Sequence, residues 1–421
     1  MLYFEYFNDR PGKEEKAEAT KEIKHFTLRK GCYISNFEYN MSGRNKRLRK
    51  TAEIDQNRIL QEDIPFFSLS DAVEFITGDI HFPQQWKTKD PETGKNISYQ
   101  ESISIKINNI SDYVNYIYNL NGGKTIYHGI SRKVYSFRGQ PKKEYKIIPS
   151  LARFAEKKEV KEGKGIDANN EQPVIIIRNL DQIERNLITE AQLRSPDVFS
   201  KNLLPTELLC LLQHYGIPTR MLDITENALV ALYFACVSES KDERDFDGDG
   251  EVIVFSDFRD TIITPPIINA IADFYRLRET FPSINSFIEL VREKPYFLEF
   301  KKNADEEWVR KCCEDNVLFL SSPVRTPRQM IQQGKYILFP NAISGCFQRP
   351  FSCFQRPFFD CKINPIPKDH ICIEKLLIIP KDAKEDMLKN LIRLFGISKL
   401  SLFPDSIDKV GEGIKENYKY I

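Results

Sequence analysis

The spacing of apolar residues predicts the clearest elements in the middle of the chain. In "NNISDYVNYIYNLNGG" the apolar positions recur at helical intervals, Ser111 stands at the N-cap position, and Gly122 and Gly123 end the helix. The apolar run "KVYSF" that follows predicts a strand that ends at Arg138 and Gly139. This segment therefore predicts a helix and then a strand, with an arginine at the strand end.

The helical pattern is strongest in "LPTELLCLLQHYGIPTRMLDITENALVALYFACV". Pro205 or Thr206 starts a helix with a leucine-rich face, and Gly216 and Pro218 end it. "TRMLDIT" then predicts a short buried strand, and Thr225 is placed to cap a second helix. The second helix has a face of small residues, which permits close packing, formed by Ala228, Ala231 and Ala235.

The other segments mix helical and strand patterns. Residues 155–172 predict a polar surface loop, and residues 173–200 predict mostly helix, although "VIIIR" is short and β-branched enough for a strand. In the C-terminal third, "VLFLSSP", "KYILFP" and "KLLIIP" predict strands, and "KEDMLKNLIRLFGI" predicts a helix. The tandem CFQRPF at residues 346–358 predicts a loop. This order of elements predicts an α+β domain.

The first hundred residues follow no strong periodicity and mix short apolar pieces with charged, turn-rich connections. We therefore predict that residues 1–104 form an N-terminal extension or a small α+β domain. Residues 105–421 are predicted to form the larger domain. The basic run from Arg44 to Lys50 favours an exposed charged loop over a phosphate contact, because solvated charge runs are the commoner case.

Composition narrows the class of protein. The hydrophobic share of 41%, the charged share of 29% and the aromatic share of 12% are those of a folded protein. The 61 basic residues balance 60 acidic ones, so a net charge of +1 offers no global attraction to nucleic acid or membranes. The first residues lack a signal-peptide pattern and no apolar stretch is long enough to span a membrane, so we expect a cytoplasmic protein.

Neither the cysteines nor the acidic residues predict a metal site. The nine cysteines are odd in number and form no CxxC pair, which favours free buried thiols over disulfides or zinc. "DFDGDGEVIVFS" begins with the carboxylate spacing of a calcium loop, but Ser256 stands at the twelfth position, where a bidentate glutamate is needed.

Arg138 is the first candidate for ligand binding. An arginine followed by glycine suits recognition of a phosphate or carboxylate, since glycine lets a ligand or a backbone approach closely. A structural salt bridge explains the same arginine nearly as well.

A second group of polar residues lies where the helix, strand and helix of the strongest pattern meet. The amides that begin the second helix predict an anion site, and Arg220 can add a bidentate contact. In the structural alternative, Arg220 pairs with Asp223, Thr225 only caps the helix, and His214 packs against the strand. Two further clusters are Ser150 with Arg153, and Arg328 with Gln332, Gln333 and Gly334.

Five motifs occur in the order of a known family. "YSFRGQ", "IIPSLAR", "LLQHYGIPTRMLDITENALVALYFA", "RQMIQQGKYILF" and "GISKLSLFPD" resemble the FRG domain, a bacterial family named for its Phe/Tyr-Arg-Gly motif. The resemblance covers roughly residues 105–410. The chain departs from the family at Ile224, where a tryptophan is common after the aspartate, and in the tandem CFQRPF insertion.

A more distant resemblance is to ADP-ribosyltransferases, which bind NAD in a split mixed α+β sheet with flanking helices. These enzymes use an Arg or His on a first strand, a Ser/Thr strand end followed by a helix, and a Glu or Gln on a later strand. Arg138, "LDITENALVALYFA" and "RQMIQQGKYILF" look like these three parts. The resemblance implies catalytic roles for Arg138, His214, Asp223 and Gln333, with Gln332 as the alternative glutamine. The residues that it implies in NAD binding are Arg138, Gly139, Gln140, Arg153, Gln213, Tyr215, Arg220, Thr225 and Tyr233.

Two functions of different classes follow from these resemblances. The first is an NAD-dependent ADP-ribosyltransferase that modifies an intracellular protein or nucleic acid as a bacterial toxin or defence effector, with an antitoxin or defence protein as partner. The alternative is a non-enzymatic module that binds a nucleotide or phosphorylated ligand in a defence or regulatory complex. The ordered motifs favour the first, and a glutamine where such transferases usually have glutamate favours the second.

Overall fold

The described part of the chain forms two β-sheets with helices packed on them, as seen in a computed structural model. The residues that the structure describes are 2–7, 14–22, 25–38, 41–78, 86–91, 93–120, 134–154, 180–238, 248–257, 265–277, 283–292, 294–296, 309, 313, 317–321, 326–342 and 363–404. The predicted loop 155–172, the segment "VIIIR", the tandem CFQRPF and most of the acidic turn lie outside these residues.

The first sheet is built from the N-terminal part of the chain. Its strands are β1 (Leu2–Phe7), β2 (Glu14–Lys21), β3 (Phe26–Leu28), β4 (Ile64–Phe66), β5 (Lys87–Lys89) and β6 (Asn96–Ser98). Among the described residues the strand order is β4-β3-β2-β1-β5-β6, and the neighbouring strands are antiparallel. The accompanying helices are α1 (Gly43–Thr51), α2 (Leu69–Thr77) and α3 (Tyr99–Ile103).

The second sheet is mixed and carries the motif segments. Its strands are β7 (Ser104–Lys106), β8 (Val134–Gln140), β9 (Met221–Thr225), β10 (Gly250–Asp257), β11 (Leu318–Ser321), β12 (Gly334–Leu338) and β13 (Ile373–Ile379). Within the described residues the strand order is β11-β12-β9-β8-β10-β13-β7, and β13 with β7 is the parallel pair. The two sheets and the separate helices confirm the predicted α+β class.

The helices that accompany the second sheet follow the chain in order. They are α4 (Ile110–Leu120), α5 (Leu180–Arg194), α6 (Pro205–His214), α7 (Ala228–Cys236), α8 (Pro265–Ala272), α9 (Ile284–Arg292), α10 (Pro327–Ile331), α11 (Lys384–Phe395) and α12 (Lys399–Leu402). Of the two predicted starts of α6, Pro205 and Thr206, the structure has Pro205, and Gly216 has the left-handed φ of 77° expected just beyond the helix.

Two predicted helix caps are wrong. Asn109, and not Ser111, caps α4, because its side-chain oxygen accepts from the amide of Asp112 at 2.9 Å. Asn227, and not Thr225, caps α7, because its side-chain oxygen accepts from the first helical amides. Both helices begin with an asparagine, a residue that caps as well as serine or threonine.

The predicted end of strand β8 is also wrong. The strand continues to Gln140, because Arg138, Gly139 and Gln140 still pair with residues of β10. Gly139 allows α7 to pack closely on β8, since a Cβ at this position would lie 1.8 Å from the carbonyl oxygen of Ala231. The glycine after Arg138 therefore serves the approach of a helix, and the small-residue face of α7 packs as predicted.

The basic run of the N-terminal part is a helix and not the predicted loop. Residues Gly43–Thr51 form α1, and Arg49 turns inward to be almost fully buried. Its guanidinium donates to four backbone carbonyls, which satisfies a charge that is shielded from water. The acceptors are the carbonyls of Ser35, Phe37, Phe75 and Ile76.

The described cysteines are thiols and not members of disulfides, as the sequence predicts. Cys32, Cys210, Cys236 and Cys372 are buried, and Cys313 is partly buried. Burial raises the pKa of Cys32 and of Cys236 to about 12, so these thiols stay protonated at neutral pH.

The two sheets share one apolar core and a polar contact. Phe66 of the first sheet and Ile253 of the second belong to the same buried cluster. Nearby, the hydroxyl of Ser70 on α2 lies 2.8 Å from both carboxyl oxygens of Asp369. Burial raises the pKa of Asp369 to about 7, because the charged form is poorly hydrated there.

The raised pKa of Asp369 predicts a pH-dependent stability. Between about pH 4 and the folded pKa of about 7, the folded protein binds a proton that the unfolded chain has released, so the free energy of unfolding falls as pH rises. We expect Asp369→Asn, which still accepts the Ser70 bond, to remove about 1–2 kcal/mol of this fall. Urea unfolding of wild type and Asp369→Asn at pH 4.5 and 7.5 measures the fall in the free energy of unfolding. An equal fall in both proteins would contradict the role of Asp369.

Candidate functional site

A cavity of about 270 Å³ opens between strands β8 and β9. In the described chain these strands share one ladder pair, Phe137 with Thr225, and Thr225 pairs in turn with Gly334 of β12. These three residues form a row across three neighbouring strands. Beyond this row β8 and β9 separate, and residues of both strands line the cavity.

Several predicted site residues meet at this cavity although they come from distant parts of the sequence. Residues of β8, α6 and β9 and the turn before β12 all contribute. The predicted residues that line it are Arg138, Gly139, Gln213, His214, Asp223 and Thr225, together with Arg328, Gln332 and Gly334 of the last predicted cluster.

Arg138 bridges the gap between the separated strands. Its Nη1 donates to the backbone oxygen of Asp223 at 2.6 Å, which satisfies a carbonyl that has no ladder partner on β8. Its Nε is buried and makes no hydrogen bond. Burial lowers the pKa of Arg138 to about 10, an effect that Asp223 opposes and Arg153 reinforces. Arg138 therefore stays charged at neutral pH and keeps a buried donor for an anion.

The side chain of Asp223 is exposed and held by Gln213. The amide nitrogen of Gln213 donates to a carboxylate oxygen of Asp223 at 2.7 Å. The amide oxygen of Gln213 accepts from the hydroxyl of Thr219 at 2.7 Å, which fixes the orientation of the amide. The structural alternative, a pair of Asp223 with Arg220, is therefore wrong.

The turn that enters β12 supplies Gln332 to the cavity. Thr225 donates its hydroxyl proton to the backbone oxygen of Gln332 at 2.5 Å, and the Gln332 side chain donates to the Leu402 carbonyl at 2.9 Å. Gln333 has a φ of 46° and an exposed side chain, and it does not line the cavity. Of the two candidate glutamines, the structure brings Gln332 to the cavity and not Gln333.

A family comparison agrees with these motifs. The family model described as FRG domain matches residues 133–244, which contain Arg138, Gln213, Asp223 and Thr225. This chain contains an FRG domain. No curated protein and no solved structure matched the chain. The FRG match covers β8, α5, α6, β9 and α7, whereas Gln332 lies beyond it.

Arg220 lies in the FRG domain but outside the cavity, so its predicted contact with a bound anion is wrong. It is fully buried, and its Nε lies 2.9 Å from a carboxylate oxygen of Glu184. Asp181 and Asn341 complete the ring of partners. Burial opposes the charge of Arg220, but Glu184 offsets this and raises its pKa above the usual value.

The predicted anion site at the start of α7 is also wrong. Asn227 accepts from the amides of Leu229 and Val230, so these donors of the FRG domain are already satisfied.

Other predicted residues of the FRG domain lie away from the cavity. Gln140 is buried and donates to Glu251, and Tyr233 is buried in the core beneath α7. Arg153 is exposed and donates to the Ile148 carbonyl, and Tyr215 is exposed with its ring against that of His214. None of the four lines the cavity.

Two basic residues of the cavity wall follow the FRG match in sequence. Arg328 belongs to a predicted cluster but had no predicted role, and Lys335 is absent from the predicted site. Arg328 on α10 lies with its guanidinium carbon 4.7 Å from the ring centre of Phe403. Lys335 on β12 forms an ion pair with Glu226. The signal was available, because Arg328 and Lys335 flank the glutamines of the motif "RQMIQQGK".

The described residues offer no group of three or more His, Cys, Asp or Glu that could hold a metal ion. Within the same residues, no helix is both long and apolar enough to cross a membrane.

Proposed function

We propose that this FRG-domain protein is an NAD-dependent ADP-ribosyltransferase. The observation that carries the proposal is the row of Phe137, Thr225 and Gly334, where the three motif segments implied by that enzyme class lie side by side. Arg138 follows the row on β8 and Gln332 precedes it on the β12 side, and both line one cavity. We also propose that this second sheet corresponds to the split sheet of ADP-ribosyltransferases.

The donors of Arg138 support binding of an anionic ligand. Its Nε–H is buried without a partner, and a buried donor of this kind is costly unless a ligand satisfies it. In the proposed complex, Arg138 donates to a pyrophosphate oxygen of NAD. Ligand pockets commonly enclose about 300–1,000 Å³. The cavity of about 270 Å³ is slightly below that range, so we expect part of NAD to lie outside its mouth.

Asp223 is the carboxylate that lines the cavity and the proposed catalytic acid–base group. In the reaction the bond from ribose C1′ to nicotinamide breaks, a bond from C1′ to the acceptor nucleophile forms, and nicotinamide leaves. Asp223 stabilises the positive charge that develops on the ribose, and it accepts the proton that the nucleophile releases. Gln332 has no acidic proton to exchange, so its proposed role is to orient the ribose.

The neighbouring residues of the cavity support these roles. Gln213 holds one oxygen of Asp223, which orients the carboxylate without neutralising it. His214 also lines the cavity, with its Nδ1 3.4 Å from the hydroxyl of Thr326, and we propose that it contacts the acceptor.

The biological setting belongs to the same proposal. We propose a cytoplasmic toxin or defence effector that modifies a protein or nucleic acid of the cell, controlled by an antitoxin or defence partner. The near balance of 61 basic and 60 acidic residues favours neither type of acceptor.

A second candidate is a non-enzymatic module that binds a nucleotide or phosphorylated ligand. It is favoured by Gln332, because an amide stands where the transferases usually have a catalytic glutamate. In this candidate the charged Arg138 binds the ligand, and the Asp223 carboxylate has no role. The two candidates therefore differ in what they predict for a change at Asp223.

The test uses NAD labelled in its ADP-ribose part, incubated with purified protein and with separated protein, RNA and DNA fractions of a lysate. We expect label in one fraction together with an equal amount of released nicotinamide. Asp223→Asn should lower both by at least about 100-fold, because acid–base groups typically contribute factors of this size. NAD binding without label transfer or nicotinamide release would reject the transferase and leave the binding module.

A further inference from the structure

Two arginines of the cavity have no carboxylate partner among the described residues. Arg138 donates to a backbone carbonyl and keeps a buried, unpartnered Nε. Arg328 lies against the ring of Phe403 and forms no ion pair within the described chain. Lys335, the other basic residue of the same wall, is already paired with Glu226.

The two arginines belong to segments that lie on opposite sides of β9 in the strand order. Arg138 lies on β8, one residue beyond the row of Phe137, Thr225 and Gly334. Arg328 lies on α10, which leads directly into β12 on the other side of β9. Neighbouring strands are about 4.8 Å apart, so β8 and β12 are roughly 10 Å apart at the row. One ligand can therefore contact an arginine from each side.

The C-terminal part of the fold holds Arg328 in place without occupying its N–H donors. The contact of its guanidinium with Phe403 is a cation–π interaction, which leaves the N–H donors available. A second contact fixes the same wall one turn later, where Gln332 donates to the Leu402 carbonyl. A positioned arginine loses less side-chain entropy when it binds an anion.

We propose that Arg138 and Arg328 form a two-sided clamp for the two phosphates of a diphosphate ligand. This inference rests on the proposed function, in which the diphosphate is that of NAD, and it adds Arg328 as a specificity residue. The clamp takes the role that the sequence assigned to Arg220 and the first amides of α7. Two separate cations suit a ligand with two neighbouring anionic groups better than a single phosphate.

The test compares the binding of ADP and AMP by calorimetry to four proteins: wild type, Arg328→Ala, Arg328→Lys and Arg194→Ala. Arg194 is an exposed surface arginine outside the cavity and serves as the matched control. We expect wild type to bind ADP more tightly than AMP. Arg328→Ala should weaken ADP binding about 10- to 100-fold and AMP binding much less, since one charged hydrogen bond has roughly that effect.

The conservative variant and the melting temperature separate binding from folding. Arg328→Lys should recover part of the ADP affinity, and all variants should melt within a few degrees of wild type. Unchanged ADP affinity in a folded Arg328→Ala protein, or equal affinity of wild type for ADP and AMP, would overturn the clamp. Failure to release nicotinamide while ADP binding still depends on Arg328 would reject the transferase and not the clamp.

Discussion

Replacing Arg138 with alanine is expected to weaken NAD binding at least about 100-fold and to abolish nicotinamide release. The change removes the charge nearest the proposed pyrophosphate site and the donor to the Asp223 carbonyl. Hydrogen bonds to charged groups contribute about 1.5–3 kcal/mol each, and a guanidinium can make more than one of them with a phosphate group. Binding is measured by calorimetry with NAD, and nicotinamide release by chromatography.

Two variants control for loss of structure. Arg138→Lys keeps the charge but not the paired donors of a guanidinium, so it should bind NAD more weakly than wild type and more tightly than Arg138→Ala. Arg153→Ala changes a nearby exposed arginine that does not line the cavity, and it should bind NAD within a few-fold of wild type. Normal NAD affinity in a folded Arg138→Ala protein would reject the assigned site.

Arg220→Ala is expected to cause the largest loss of stability, about 3–5 kcal/mol in the free energy of unfolding. The substitution removes the cation that pairs with Glu184 and Asp181, and both carboxylates remain buried. A buried carboxylate without a partner must either stay charged at high cost or bind a proton. Urea denaturation at pH 7 measures the change.

A triple variant provides the control for this prediction. Arg220→Met combined with Glu184→Gln and Asp181→Asn removes the charges together, so it should be less destabilised than Arg220→Ala at pH 7. If Arg220→Ala costs less than about 1 kcal/mol, the buried ion pair has no structural role of the kind inferred from its burial.

The local elements of the site could be predicted because their signals are local. Gly216 ends α6 in the left-handed conformation, and the helix, strand and helix from residue 205 to 236 follow the apolar pattern. Thr225 was misassigned as a cap because it stands two residues before Asn227, and both residue types favour this position. A sequence pattern places a cap only to within one or two residues.

The tertiary partners of the arginines could not be predicted in this way. Arg220 lies in the same sequence motif as Asp223, but it pairs with Glu184, which is 36 residues away on α5. The strand pattern shows that the segment is extended, and it does not show which packed element faces each side chain. Similarly, Gln333 has a positive φ in the turn that places Gln332 at the cavity, and a non-glycine residue gives no sequence signal for that conformation.

The adjacency of the three motif segments is the main result that the sequence left open. Their order along the chain was readable, whereas the pairing of β8 with β9 and of β9 with β12 depends on contacts between distant residues. The separation of β8 and β9 beyond one pair then creates the cavity.

A crystal structure of the protein with NAD tests the central claim most directly. We expect the pyrophosphate in the cavity between β8 and β9, with the Nε of Arg138 within about 3 Å of a phosphate oxygen. We also expect the ribose that carries nicotinamide to lie beside Asp223. NAD bound elsewhere on the protein, or no bound NAD at millimolar concentration with the cavity accessible in the crystal, would contradict the account.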